Sequence, residues 1–283
     1  MLRYIDELLA NPGPILIVFL LAFPGRILAL SAHEFGHAWV ANRCGDPTAK
    51  MLGRLTLNPL KHLDPLGTVM MLLLGFGWAK PVPVNPRNFR HYRQDDLKVS
   101  LAGVTMNLIL FLLAMVLMTA WVAFALSRIP AGSAYAATDA MIRADYQGAA
   151  SVLWQEGGSY YYMPIASLLR QLPYAGDSLI TPLFGSVPGY LYQMLGYFAI
   201  TNLSLILFNL LPIPPLDGYH VFNDLLLRRS LFANPQTARI ASTALFVLSM
   251  SGALGRGLSW VITRVLSCCG QLAALLLRAL GLM

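Results

Sequence analysis

Charge is scarce in this chain: Asp, Glu, Lys and Arg make up only 12% of its 283 residues, against roughly 25% in an ordinary soluble domain. Hydrophobic residues make up 57%. So few charges do not cover that much apolar surface in water, and the same composition excludes disorder and a collagen-like fibre. Cysteine is also scarce. Cys44, Cys268 and Cys269 offer no metal spacing and no disulfide framework, which excludes a small disulfide scaffold; they read as small apolar fillers. Repeats and low-complexity tracts are absent from the sequence. The opening stretch, MLRYIDELLANPG, lacks signal-peptide character: Asp6 and Glu7 sit beside Arg3, and no small-residue cleavage site follows the first apolar run. The first span is therefore expected to stay in the mature protein. What remains is an integral membrane protein built from helical spans. Its net charge of +7 lies between apolar runs, so it speaks to topology in the bilayer, and no nucleic-acid partner is expected.

A span needs about 20 mostly apolar residues. Segments 14–42, 97–126, 189–211 and 240–266 qualify, the third stopped by the prolines of LPIPPLDG. Residues 66–77 are apolar but too short to cross, and they run through Trp78-Ala79-Lys80 into PVPVNP. A re-entrant or partly inserted hairpin is expected there; such backbone must be buried in protein or line a cavity. Residues 268–283 are a short candidate for a further helix. The fold expected is an all-α polytopic membrane protein, a helical bundle with a small β-hairpin or re-entrant element after the first core helix. It reads as one domain over 1–283, with a core of 14–126 and 189–266 and an extracytoplasmic insertion over 127–188.

Loop charges orient the bundle. Segment 43–98 carries nine Lys and Arg residues, and 228–239 carries Arg228, Arg229 and Arg239 with no acid. The long 127–189 segment has only Arg128, Arg143 and Arg170. The positive-inside bias puts the first two in the cytoplasm and the third outside, in agreement with four spans starting from an external N-terminus. Segment 127–189 is rich in Gly, Ser, Ala and Tyr, with a short amphipathic helix expected near 163–172. It reads either as a structural cap or as a substrate gate.

The informative stretch is Ala32-His33-Glu34-Phe35-Gly36-His37-Ala38. Residues four apart on a helix lie on one face, one turn apart. Two imidazoles at that spacing reach one tetrahedral zinc at about 2.0–2.1 Å. Glu34, beside the first ligand, is placed to hold the water that the metal polarises and to take its proton. Such a string also arises by chance on solvated helix faces. Here it ends an apolar span, with no other charge between Arg26 and Arg43, and ionisable residues inside a span point to function. A zinc site needs a third protein ligand and an open fourth position. Asp217, in Leu211-Pro212-Ile213-Pro214-Pro215-Leu216-Asp217-Gly218, is an acid in an apolar context at a comparable depth. It reads as that ligand or as a turn residue before Gly218. Arg26, seven residues before His33, lies nearly on the same helix face.

These residues resemble the site-2 protease family of intramembrane zinc metalloproteases. His33-Glu34-Phe35-Gly36-His37 is similar to its first motif, and Asn209 through Gly218 (NLLPIPPLDG) to its second. Gly45–Lys50, Leu55–Leu60 and Gly77–Pro86 resemble the compact bacterial branch without PDZ or CBS domains, and the chain has no room for either module. The resemblance covers roughly 30–110 and 190–225. It implies one zinc ion held by His33, His37 and Asp217, Glu34 as general base, and Asn209 as a donor to the substrate carbonyl or its oxyanion. It implies hydrolysis of a peptide bond in or near the transmembrane segment of single-span membrane proteins, often already trimmed by an upstream site-1-type protease. It further implies a bacterial inner membrane, with the site nearer the cytoplasm. Val104 departs from a proline common among relatives, Asn107 reads as packing glue, and the 127–189 insertion is longer than the compact branch has.

A helical substrate hides its carbonyls, so it must unwind. Strand addition to an exposed edge would hold it extended. Residues 51–58 alternate loosely and are a candidate edge, with 66–77 shaping the cleft; the plainer alternative is a surface loop that only packs. Two other functions compete. A catalytically silent regulator or chaperone would have no need of Glu34. A metal-ion transporter would show polar residues in several spans or paired halves.

Overall fold

The structure, a computed structural model, describes residues 12–74, 77–128, 151–156, 159–164, 184–227, 232 and 234–281. Most of the 127–188 insertion, including the helix expected near 163–172, lies outside the described residues, as do Arg228 and Arg229. Eight α-helices run through the described residues: α1 (Pro12–Cys44), α2 (Thr48–Met51), α3 (Pro65–Leu74), α4 (Tyr92–Ser127), α5 (Ser186–Asn209), α6 (Asp217–Phe222), α7 (Pro235–Met250) and α8 (Ala253–Ala279). Four of them contain segments long and apolar enough to cross a membrane: Leu16–Cys44, Tyr92–Ala125, Ser186–Asn209 and Ala253–Ala279.

The first three spans follow the expected segments. The fourth does not. The 240–266 run is split after α7, where Gly252 takes φ +72, a left-handed turn that ends a helix and that side chains disfavour. The span is Ala253–Ala279, so residues 268–279 belong to it and form no separate helix. A hydropathy window registers apolar residues and passes over one glycine turn between two helices.

Side-chain size, more than polarity, separates the faces of α1. Ala22, Ala29, Ala38 and Ala41 are buried, while Leu20, Leu28 and Trp39 are exposed. Lipid is as apolar as leucine, so large apolar side chains can face outward, and small residues line contacts where backbones approach closely. Pro24 sits inside α1; irregularities of this kind are tolerated in spans where neighbouring groups satisfy the freed carbonyl.

Between α1 and α4 the chain folds back on itself without the expected β-hairpin. The loosely alternating 51–58 stretch is no strand: α2 closes at Met51, Gly53 turns at φ +67, and Pro59–Lys61 is a 3-10 turn capped by the Asn58 side chain. The apolar 66–77 run is largely the helix α3, and its return is tight. A Cβ on Gly67 would lie 2.2 Å from the Trp78 carbonyl oxygen, and one on Gly77 would lie 2.1 Å from that of Gly67. The β character of this region is a single bridge between Leu63 and Ala79, with the Lys80 N–H donating to the His62 carbonyl at 2.7 Å. An antiparallel pair of strands does occur elsewhere, in the insertion: β1 (Ser151–Glu156) pairs with β2 (Ser159–Pro164).

The chain divides into two compact units, one of Met1–Phe111 with Thr201–Ser259 and one of Leu112–Ile200 with Trp260–Met283. In the second unit Met118, Val122, Tyr192 and Leu277 are fully buried, and the Trp121 ring meets Tyr192 edge-on at 5.7 Å. Every candidate site residue lies in the first unit.

Candidate metal centre

His33 and His37 project from the same face of α1. Their partners fix which ring nitrogen is free. The Asn107 Nδ2 donates to the Ala29 carbonyl at 3.2 Å and to Asn202 Oδ1 at 2.8 Å, so Asn107 Oδ1 is an acceptor. It takes the Nδ1–H of His33 at 2.6 Å. The Val99 carbonyl takes the Nδ1–H of His37 at 2.8 Å. Both Nε2 atoms therefore carry lone pairs, and they face each other 3.1 Å apart. Hydrogen bonds of this kind orient metal-bound histidines and raise their basicity.

Asp217 completes the triangle. The prolines at 212, 214 and 215 stop α5, and the chain turns through bonds from Ile213 to Leu211 and from Leu216 to Ile213. The turn is close enough that a Cβ on Gly218 would lie 2.4 Å from the Leu210 carbonyl. It delivers the Asp217 Oδ2 to 3.2 Å from His33 Nε2 and 3.4 Å from His37 Nε2. That oxygen is buried and has no hydrogen-bond partner. Two imidazole nitrogens and a carboxylate oxygen converge on one point, an arrangement suited to a bound metal cation. The spacing suits it. Tetrahedral ligands at about 2.0–2.1 Å from zinc stand about 3.3 Å from one another. Among the described residues these three form the one cluster of His, Cys, Asp or Glu suited to a metal.

The Glu34 Oε2 accepts the backbone N–H of Val82 at 2.7 Å, which leaves its other oxygen open. Asn209 is the last residue of α5; among the described residues its side chain makes no hydrogen bond. Asn107, read from sequence as packing glue, instead bonds directly to His33, and with Asn202 it forms a fully buried polar chain. Gly103 is the other residue not anticipated: a Cβ there would stand 2.5 Å from both His33 Cε1 and His37 Nε2. The sequence signal for the pair was their spacing, since a polar residue four positions from a glycine in an apolar span shares its helix face.

The model of peptidase family M50 matches residues 19–252. The chain belongs to peptidase family M50. Membership of this family, the site-2 proteases, and its four apolar helices make it an integral membrane protein. This M50 chain is 35% identical over 199 residues to a Bacillus subtilis protein named "Putative zinc metalloprotease YwhC", covering 70% of this chain and 66% of that one. It is 28% identical over 232 residues to "Putative zinc metalloprotease Rip2" of Mycolicibacterium smegmatis, covering 80% of this chain and 62% of the relative. The matches thus span less than two thirds of the length of these curated relatives. No solved structure matches the chain significantly.

Proposed function

We propose that this M50 chain is a zinc-dependent endopeptidase that cuts a peptide bond in or next to the transmembrane segment of single-span membrane proteins. The observation that carries this reading is the convergence of His33 Nε2, His37 Nε2 and Asp217 Oδ2 beside a carboxylate. These three residues would hold one zinc ion. When bound, the ion supplies Lewis acidity that brings the pKa of a coordinated water to about 7 and polarises a carbonyl. Glu34 takes a proton from the attacking water with its open oxygen and delivers it to the leaving amine. Asn107 and the Val99 carbonyl hold the imidazoles in the tautomer that presents Nε2. Asn209 donates its amide to the carbonyl oxygen as negative charge develops.

The family resemblance and the loop charges support a role in regulated proteolysis in a bacterial inner membrane, after an upstream protease has trimmed the substrate, with the site nearer the cytoplasm. The Lys80–Asn85 segment borders this site through the Val82 N–H. Prolines at 81, 83 and 86 fix or restrict the backbone there to extended forms.

The test compares purified wild type with Glu34→Gln, His33→Ala, Asp217→Ala and Asn209→Ala. The probe is a quenched-fluorescent single-span peptide carrying helix-breaking residues in its apolar segment. Glu34→Gln should lower kcat by about 10²–10⁴-fold while zinc stays bound. His33→Ala and Asp217→Ala should lose zinc by elemental analysis, and Asn209→Ala should lower kcat with zinc retained. Full cleavage by Glu34→Gln refutes the base, and unchanged zinc in Asp217→Ala moves the third ligand elsewhere.

A further inference from the structure

Three buried charged residues have no part in the metal triangle: Asp95, which pairs with Lys98, and Asp46 and Arg54. Asp46, fully buried, follows the end of α1. Its Oδ1 accepts the Thr48 N–H at 3.1 Å, the Thr48 hydroxyl, and Asn88 Nδ2 at 2.8 Å; its Oδ2 accepts the Asn85 N–H at 2.7 Å. Burial alone would raise a carboxyl pKa, but the bonds from Thr48, Asn85 and Asn88 outweigh it and hold Asp46 below the ordinary range, so it is an anion at neutral pH. Arg54, only 9% exposed, donates through Nη2 to the Lys80 carbonyl at 2.7 Å and to that of Pro81 at 3.4 Å.

These two side chains grip opposite ends of one short segment, Lys80–Asn85. Between the grips lies Val82, whose N–H reaches Glu34 Oε2 at 2.7 Å. The sequence isolates that donor: Pro81 and Pro83 on either side have no N–H. A hydrogen bond to a carboxylate is strong and directional. It fixes one Glu34 oxygen and sets where the other points, so long as the segment itself cannot shift. Buried charges are costly unless bonded; Arg54 gives its Nη2 bonds to this segment, and Asp46 ties the segment's Asn85 N–H to Thr48 and Asn88.

We propose that Asp46 and Arg54 are positioning residues for the Glu34 carboxylate, acting through the Val82 N–H of the segment they pin. The inference rests on the reading of Glu34 as the base.

The experiment uses the full chain, zinc-loaded in detergent, with the same single-span peptide probe and with hydrogen exchange measured over residues 80–85. Val82→Pro removes the donor together with the isopropyl side chain and fixes φ; Val82→Ala keeps the donor and trims the side chain. Asp46→Asn places an amide N–H against that of Asn85, and Arg54→Met removes the donors at similar size. Val82→Ala, which keeps the N–H, should retain far more activity than Val82→Pro. Val82→Pro, Asp46→Asn and Arg54→Met should each lower kcat by about 10–100-fold, the scale expected of a misplaced catalytic group, with KM within about two-fold and zinc unchanged. Asp46→Asn and Arg54→Met should also speed exchange at the Val82 amide. The double variant Asp46→Asn/Val82→Pro should be no slower than Val82→Pro alone, because both act through one bond. The proposal is overturned if Val82→Pro matches Val82→Ala, if the two losses multiply, or if Asp46→Asn sheds zinc. Glu34→Gln serves as the control. If it cleaves at the wild-type rate, the reading of the base fails; if it is inactive while the Val82 and Asp46 variants cleave normally, only this inference fails.

Discussion

At Gly103 the ring atoms of His33 and His37 stand 2.5 Å from where a Cβ would sit, so α4 reaches the imidazole pair only because this residue has no side chain. Gly36, on the facing helix, is similarly tight: its Cβ would lie 2.9 Å from the Ala102 carbonyl oxygen. Neither contact leaves room for relaxation, since both meet backbone or rigid ring atoms. Gly103→Ala should therefore push the two histidines off their shared point. We expect it to lose most bound zinc and activity, and to destabilise the fold by about 1–3 kcal/mol, as overpacking commonly does. Zinc analysis and thermal unfolding of the same preparation check both. The His-Glu-x-x-His spacing and Asp217 were legible in the sequence, because one-turn spacing on a helix and an acid in an apolar setting are local patterns. Asn107 and Gly103 were legible only as residues of a span. Their roles depend on which helix faces the histidines, and no local pattern states that.

The short helix α6 starts at Asp217, so whatever anchors α6 steadies the proposed third ligand. His220 Nδ1 lies 3.0 Å from Asp96 Oδ2 in the first turns of α4, and Arg93 reaches Asp224 at 3.9 Å and its carbonyl. The bond to Asp96 raises the pKa of His220 above its ordinary value, against the opposing pull of burial. A group whose folded pKa is raised lends stability that is complete below its unfolded value, about 6.5, and is lost as pH rises through the folded one. Wild type should thus lose more Tm between pH 6 and pH 9 than His220→Gln does; equal losses would show that the pair contributes nothing. At this level sequence reading also placed the candidate substrate edge at 51–58, where a helical turn and Gly53 stand instead. Alternation over eight residues was too weak a signal against a tight turn and the capping of Pro59–Lys61 by Asn58. The PVPVNP stretch, which proline geometry makes extended, is the segment that touches the site residue Glu34.

Across the bilayer, the distribution of Lys and Arg around four apolar helices supports the proposed orientation. Reporters fused within 140–180 should read as extracytoplasmic, and reporters fused in 45–60 or after Asn234 should read as cytoplasmic. A cytoplasmic signal from 140–180 would overturn the orientation and with it the placement of the site near the cytoplasm. The fourth span gives a sharper check. A reporter at Ser251-Gly252 should still read as cytoplasmic, because the crossing begins at Ala253 and not at 240.

Composition, hydropathy and two short motifs were enough to read an integral membrane protein, three of the four apolar helices found among the described residues, and the residues His33, His37 and Asp217 that the fold brings together, because each is written in residues near one another in the chain. The convergence of those three residues, the tautomers set by Asn107 and Val99, the glycine that admits α4, and the pinned segment that holds Glu34 all join residues far apart in sequence. These features arise from helix packing and loop closure, which sum many weak contacts at once, and so they became visible only when the chain was seen folded.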